Sequence, residues 1–197
     1  MNDSFDQLQT LVTELGLGAA CQPQLKTNPS GLPSAWMALA SPEDLPRFAL
    51  ALSKIGGRLA TTTVYRPNAA DAPGTHELAY HMLLDGLPIT AKVTLQQGQG
   101  IASIARLFPN ADWEEREMME LGGVKITDHP NPRRMFLDET IEVGVFDRYV
   151  PYSEFTNAAD HNAVWARIKE ESCQARKRKQ EAAELAQAQV QHQEATK

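Results

Sequence analysis

Residues 111 to 139 read ADWEEREMMELGGVKITDHPNPRRMFLDE, a stretch in which chemistry-bearing side chains are unusually dense. Asp112, Glu114, Glu115, Glu117 and Glu120 surround a single cation, Arg116, and His129 and the pair Arg133–Arg134 follow within a few turns of chain. Carboxylates within reach of an imidazole are the groups that general acid–base or metal-assisted chemistry needs. Such a site would require His129, which stands beyond a Gly pair and a connecting segment, to return to the glutamates. Two other readings use the same residues. Arg116 has Asp112 four residues before it and Glu120 four after, the spacing of a self-bridged surface helix, where each pair contributes only about 0.2 to 0.5 kcal/mol. Trp113 and the arginines are also the residue types that anchor protein interfaces, and Pro130 and Pro132 stiffen the loop that would carry them, lowering the entropy lost on docking.

The elements that must position these groups follow from capping and periodicity. Pro109-Asn110 predicts a helix entry and Gly122-Gly123 its exit, with about three turns between. On that helix Trp113, Arg116, Glu117 and Glu120 share one face, and Glu114, Met118 and Leu121 another. Upstream, Phe5, Leu8, Val12 and Leu15 recur at helical spacing before Gly16 and Gly18. SAWMALA, residues 34 to 40, is a compact apolar strand, and Ser41-Pro42-Glu43-Asp44 opens a second helix whose apolar face is Leu45, Phe48, Ala49, Leu52 and Ile55. Three segments then alternate with period two. Leu59, Thr61, Thr63 and Tyr65 share a face of the first, Leu78, Tyr80, Met82 and Leu84 of the second, and Ile89, Ala91, Val93 and Leu95 of the third. Asp85-Gly86-Leu87-Pro88 joins the last two as a hairpin turn. The expected fold is α+β: a small antiparallel or mixed sheet with helices packed on one face, residues 1–150, followed by a C-terminal helical extension and tail, residues 151–197. Val164, Trp165, Ile168 and Cys173 give that extension an apolar edge over a helix of residues 158 to about 178.

Several function classes lose support from the rest of the chain. Gly16-Leu17-Gly18 follows a helix and lacks a third glycine, so it reads as a helix C-cap and not a dinucleotide loop. His76 and His81 fall on opposite faces of one strand, and Cys21 and Cys173 are far apart, so neither pair suggests a metal cage or a disulfide framework. The net charge of −6 gives no reason to expect nucleic acid as a partner. Arg176-Lys177-Arg178-Lys179 lies among glutamates without interleaved aromatics and reads as a solvated helix face. The polar start lacks the character of a signal peptide, and no apolar run nears the roughly 20 residues of a spanning helix, so a cytoplasmic chain is expected.

The central stretch also resembles a family. WEERE, followed by MMELGGVKITDHPNPRR, is similar to the signature of the C-subunit family of respiratory complex I, the NADH-quinone oxidoreductase, which also occurs in membrane-bound [NiFe] hydrogenases. Without a gap it places Trp113, Glu115, Arg116, Glu117, Gly123, His129, Pro130, Arg133 and Arg134 on the family's residue types, and the likeness extends over about residues 75 to 137. Glu114 stands where the family has an aromatic, Glu120 for its Asp, Gly122 for an aromatic, and Asp128 for the Gly before His-Pro. The family's closing PLRKD motif has no counterpart near Val145–Tyr149, which shifts the resemblance toward the hydrogenase branch over the quinone-reducing one.

The resemblance implies a non-catalytic subunit on the cytoplasmic face of the inner membrane, reaching the membrane only through partners. Those partners would be a large [NiFe]-hydrogenase-like subunit and a small iron–sulfur subunit, which would hold the NiFe centre and the iron–sulfur clusters while this chain holds no cofactor. It further implies that Trp113 packs into the domain or its partner, that Glu115, Arg116 and Glu117 tie the helix to the following loop by ion pairs, and that Arg133 and Arg134 reach acidic or carbonyl groups on the large subunit. The rival readings are the C-type subunit of an NADH-quinone oxidoreductase complex, a free-standing enzyme using Glu115, Glu117 and His129, and a binding protein using the basic residues 176 to 179.

Overall fold

The computed structural model describes residues 2–18, 21–65, 75–145 and 168–181. Helix α1 (Asn2–Glu14) precedes strands β1 (Gln24–Thr27) and β2 (Pro33–Leu39), helix α2 (Asp44–Lys54), and the strands β3 (Arg58–Tyr65), β4 (His76–Leu84) and β5 (Leu87–Leu95). A short strand β6 (Gly100–Ala102), helix α3 (Ala111–Glu120) and strand β7 (Lys125–Thr127) complete the ordered elements, and residues 168–181 form a C-terminal helix. The expected α+β class is what the chain adopts. The main sheet has five strands in the order β1-β2-β5-β4-β3, mixed because β2 runs parallel to β5 while the other neighbours are antiparallel.

The β4–β5 hairpin forms for the reason its sequence suggests. Asp85 and Gly86 both take positive φ, 46° and 82°, the backbone of a two-residue turn whose twist matches antiparallel strands. Its register then sends Leu78, Tyr80, Met82, Leu84, Ile89, Ala91, Val93 and Leu95 into the core, all of them buried. Helices α1 and α2 cover that face with Leu8, Leu11, Val12, Leu45, Phe48 and Leu52. Just before α2, side chains close the turn: the Ser41 hydroxyl accepts from the Glu43 N–H at 3.3 Å, and the Asp44 carboxylate from the Ser41 N–H at 3.2 Å.

The opposite sheet face is polar and satisfied by cross-strand pairs. His81 sits between Thr63 and Thr90, and Lys92 bonds both Tyr65 and Glu77. Here the structure corrects the sequence reading of β3. A register shift between Leu59 and Thr61 leaves Leu59 opposite inward-facing Met82 but sets Thr61 opposite outward-facing His81, so Thr61, Thr63 and Tyr65 do not share the face of Leu59. One extra residue is enough to invert a strand with a two-residue side-chain period. As the end strand of the sheet, β3 is flanked by α3. The Asn110 side-chain amide donates to the Leu59 carbonyl at 3.1 Å, and Glu114 lies beside Thr61 and Thr62.

A second, smaller core forms where buried Val145 meets buried Ile168 of the C-terminal helix, with Leu137 and Ile141 packed against them. Arg176 adds an exposed ion pair to Asp138 at 2.6 Å, and Thr140 with Arg176 draws the Asp138 carboxyl down to about 2. Of the apolar edge expected for the extension, Ile168 is buried and Cys173 exposed, while Val164 and Trp165 lie outside the described residues.

Candidate functional site

Helix α3 begins after Asn110 and ends at Leu121, close to the bounds that its flanking Pro and Gly residues predict. Burial cuts across its two faces. The buried residues are Ala111, Glu115, Met118 and Glu120, whereas Trp113 is 64% exposed and Glu117 is exposed. The helix therefore turns two carboxylates inward and its largest aromatic outward. Among the described residues Trp113 packs into no core.

Each buried carboxylate meets backbone donors. Glu115 accepts from the Ile104 N–H at 2.9 Å through Oε1 and from the Ser103 hydroxyl through Oε2, fastening α3 to the segment that leaves β6. Burial pushes its carboxyl up, and the nearby Asp112 and Glu114 add to the rise, which the Ser103 and Ile104 donors only partly oppose. Glu120 accepts three successive main-chain N–H groups, those of Met135 at 2.9 Å, Phe136 at 3.0 Å and Leu137 at 2.6 Å. Burial acts to raise this carboxyl too, but the three donors and the Arg134 charge outweigh it and hold Glu120 below its ordinary value.

Arg116 serves the same segment from the other side. Its Nε donates to the Arg133 carbonyl at 2.7 Å, one terminal nitrogen to the Arg134 carbonyl at 3.1 Å, and the other to Asp112 at 3.4 Å. Helix and loop are fastened through Glu120 and Arg116 onto main-chain groups, and Glu117 is exposed. Arg134 likewise donates to the carbonyls of Asp138 and Ile141. It is thus turned onto its own chain, where residues 138 to 141 curl back to offer it two acceptors. Arg133 is exposed and bonds Asn131 through Nε alone at 2.8 Å.

His129 does return to the glutamates. Its Nδ1 accepts the Asn131 N–H at 3.0 Å, which assigns the ring proton to Nε2, directed at the Asp112 carbonyl at 3.2 Å with Glu115 Oε2 at 3.7 Å. His129 is 8% exposed and Glu115 0%, so the imidazole and carboxylate that a hydrolytic site would use are sealed from substrate. Pro130 is exposed and continues the turn that the Asn131 bond closes. Sequence reasoning missed Ser103, Tyr80 and Asn110 as members of this assembly. Local context marks Asn110 as the helix entry and Tyr80 as a core position of its strand, but not the distant residues each one meets. The Tyr80 hydroxyl is buried without a hydrogen-bond partner among the described residues and is pushed well up, by burial first and then by Glu115 and Glu114.

Two departures from the resembled signature have local causes. Asp128 has φ +57°, so the position that carries Gly in the signature is one where the backbone is left-handed. At Gly122 an added Cβ would lie 2.9 Å from the Met118 carbonyl oxygen and 3.2 Å from Val64 Cγ1, leaving no room here for the aromatic of the signature.

Known proteins agree with this architecture. The profile of the respiratory-chain NADH dehydrogenase 30 kDa subunit family matches residues 38–154. The chain is similar to the NADH-quinone oxidoreductase C subunit of Rhodopseudomonas palustris, 40% identical over 75 residues, which are 36% of this chain and 37% of that relative. It is similar also to the NADH-quinone oxidoreductase C/D subunit of Cronobacter sakazakii, 42% identical over 66 residues, 32% of this chain but 11% of the relative. The C/D subunit of Gluconacetobacter diazotrophicus aligns over 139 residues at 29% identity, 66% of this chain and 23% of the relative. Among solved structures, the fold resembles a chain of the membrane-bound sulfane sulfur reductase, an archaeal respiratory membrane complex, with a TM-score of 0.55 over 79% of this chain and 92% of that one at 12% identity.

Proposed function

The chain belongs to the family of the 30 kDa subunit of respiratory-chain NADH dehydrogenase, and from that premise we propose that it is a non-catalytic structural subunit of a complex I-type membrane oxidoreductase, docking on the large subunit. The observation that carries the reading is the inversion of α3. The groups capable of catalysis, Glu115 and His129, are buried and committed to main-chain partners, while Trp113, Phe136 and Val143 are exposed at 64%, 58% and 47% along the same segment. Aromatic and arginine side chains on a stiffened scaffold are what an interface uses. The same burial argues against a free-standing enzyme built on Glu115, Glu117 and His129.

The large partner is a protein of the D type, a choice supported by the two relatives named as C/D subunits, in which most of the chain lies beyond the segment similar to this one. Redox centres reside in the partners, as iron–sulfur clusters and, in a hydrogenase, a NiFe centre. Among the described residues no helix is long and apolar enough to cross a membrane, and attachment to the membrane goes through the complex. The curated relatives favour the quinone-reducing branch. The [NiFe] hydrogenase branch is the second reading, favoured by the lack of a counterpart to the family's closing PLRKD motif in the sequence near residues 145–149.

The test is recovery of the chain from detergent-extracted native membranes, with identification of partners by mass and analysis of nickel and iron. A large partner with iron and no nickel assigns the quinone-reducing branch, and nickel with iron assigns the hydrogenase. Recovery of the chain alone, free of partner and metal, would sink the docking reading.

A further inference from the structure

Beside α3 lies a groove of about 400 Å³ whose walls include Met119, Lys125, Ile126, Arg133 and Val143. Resting on the docking role proposed above, we infer that this groove receives an acidic, extended segment of the large partner subunit, laid along the outer edge of β7.

Charge is the first argument. The whole chain carries a net charge of −6, yet the groove is lined by Arg116, Lys125, Arg133 and Arg134 against one carboxylate, Glu120. That carboxylate is buried behind three main-chain N–H groups and is not available to neutralise the opening. Arg116 is paired with Asp112 and Arg134 lies close enough to Glu120 to lower it, so the cations left to meet a partner are Lys125 and Arg133. Lys125 and Arg133 are exposed, and among the described residues neither the Lys125 ammonium nor the terminal nitrogens of Arg133 have an acceptor. A carboxylate-bearing partner supplies what both lack.

Backbone geometry is the second. Among the described residues strand β7 pairs only with β6, in a parallel two-stranded sheet, and its other edge takes no strand partner there. An incoming extended segment can bond along that edge while alternate side chains settle on half-buried Ile126 and on Val143, which is 47% exposed. A compact anion would satisfy the cations but leave both the strand edge and Val143 uncovered.

The experiment uses tagged full-length chain in its native membranes. Replacing Lys125→Glu together with Arg133→Glu is expected to lower recovery of the large subunit by at least about tenfold, while Lys54→Glu on α2, a charge change away from the groove, leaves it unchanged. In an otherwise unaltered chain, a photo-crosslinker at Val143 should join a carboxylate-rich segment of the large subunit, which tests the site without relying on the folding of the charge-reversed variant. Full recovery with the double variant, a crosslink to a second copy of this chain, or displacement of the large subunit by inorganic phosphate but not by chloride of equal ionic strength would overturn the inference and leave docking intact. Failure of the unaltered chain to bring down any large subunit would remove the docking role itself.

Discussion

The β4–β5 hairpin and the segment from α3 to Val145 are held in place by opposite means. In the hairpin, alternation places eight apolar side chains in one core, and the strands pair over nine residues each. Stabilisation there comes from apolar burial, about 25 cal/mol per Å², shared by many contacts of similar kind. Among the described residues beyond α3 there is a single three-residue strand, and the path is fixed by Glu120, Arg116 and Arg134 reaching main-chain groups. A core made of many equivalent contacts tolerates change by sharing it, whereas a loop fixed by a few charged groups fails where one is removed.

Phe48→Ala is expected to have the largest effect, about 3 to 5 kcal/mol, because Phe48 is fully buried in the shared core. Urea unfolding should show it as a shift of the whole transition with no segment released first. Glu120→Ala should cost about 3 kcal/mol by leaving three N–H groups without their acceptor, and here the signature is local. Amides of residues 135–137 should exchange well before the sheet opens, and equal protection of loop and sheet in this variant would erase the contrast between the two regions.

The two buried carboxylates sharpen the contrast through pH. Glu120 is lowered from its ordinary 4.5, so its contribution is full above that value and is lost as pH falls through the folded one. Glu115 is raised from 4.5, so its contribution is full below that value and is lost as pH rises through the folded one. Glu120→Gln should therefore flatten the acid loss of stability and Glu115→Gln the decline on the other side, as read from unfolding midpoints across the mildly acidic range. Identical profiles for both variants would contradict the assignment.

Smaller effects are expected where a residue is a poor fit for its place. Tyr80→Phe removes a buried hydroxyl that lacks a partner and should be neutral or stabilising by about 1 kcal/mol. Asp128→Gly relieves a left-handed backbone and should gain less than about 1 kcal/mol, visible only as a slight rise in Tm.

The hairpin was legible because period-two alternation and Asp85-Gly86 are local signals that agree with each other. Strand β7 was not, since Lys-Ile-Thr is too short to show a period and forms only because β6 lies beside it. Helix α3 was legible in extent, but which of its side chains are buried was not. Hydropathy sends Trp113 inward and Glu115 and Glu120 outward, but backbone donors from residues 104 and 135–137 reverse that preference, and those donors arrive from outside the helix. The Arg116, His129 and Asn131 contacts are of the same kind: their residue types were conspicuous, and their partners depended on the path of the intervening loop.

The flank of β3 by α3 bears on the life of this chain before assembly. A subunit made apart from its complex waits with an end strand that could pair with any similar strand it meets, the usual first step toward insoluble aggregates. Here the Asn110 amide already occupies the Leu59 carbonyl, and Glu114 sets a charged side chain beside Thr61 and Thr62. If the proposed docking role holds, the helix that carries those residues also shields the chain before it meets a partner, and a lesion in α3 would surface as lost yield of the free chain before any effect on a complex could be measured.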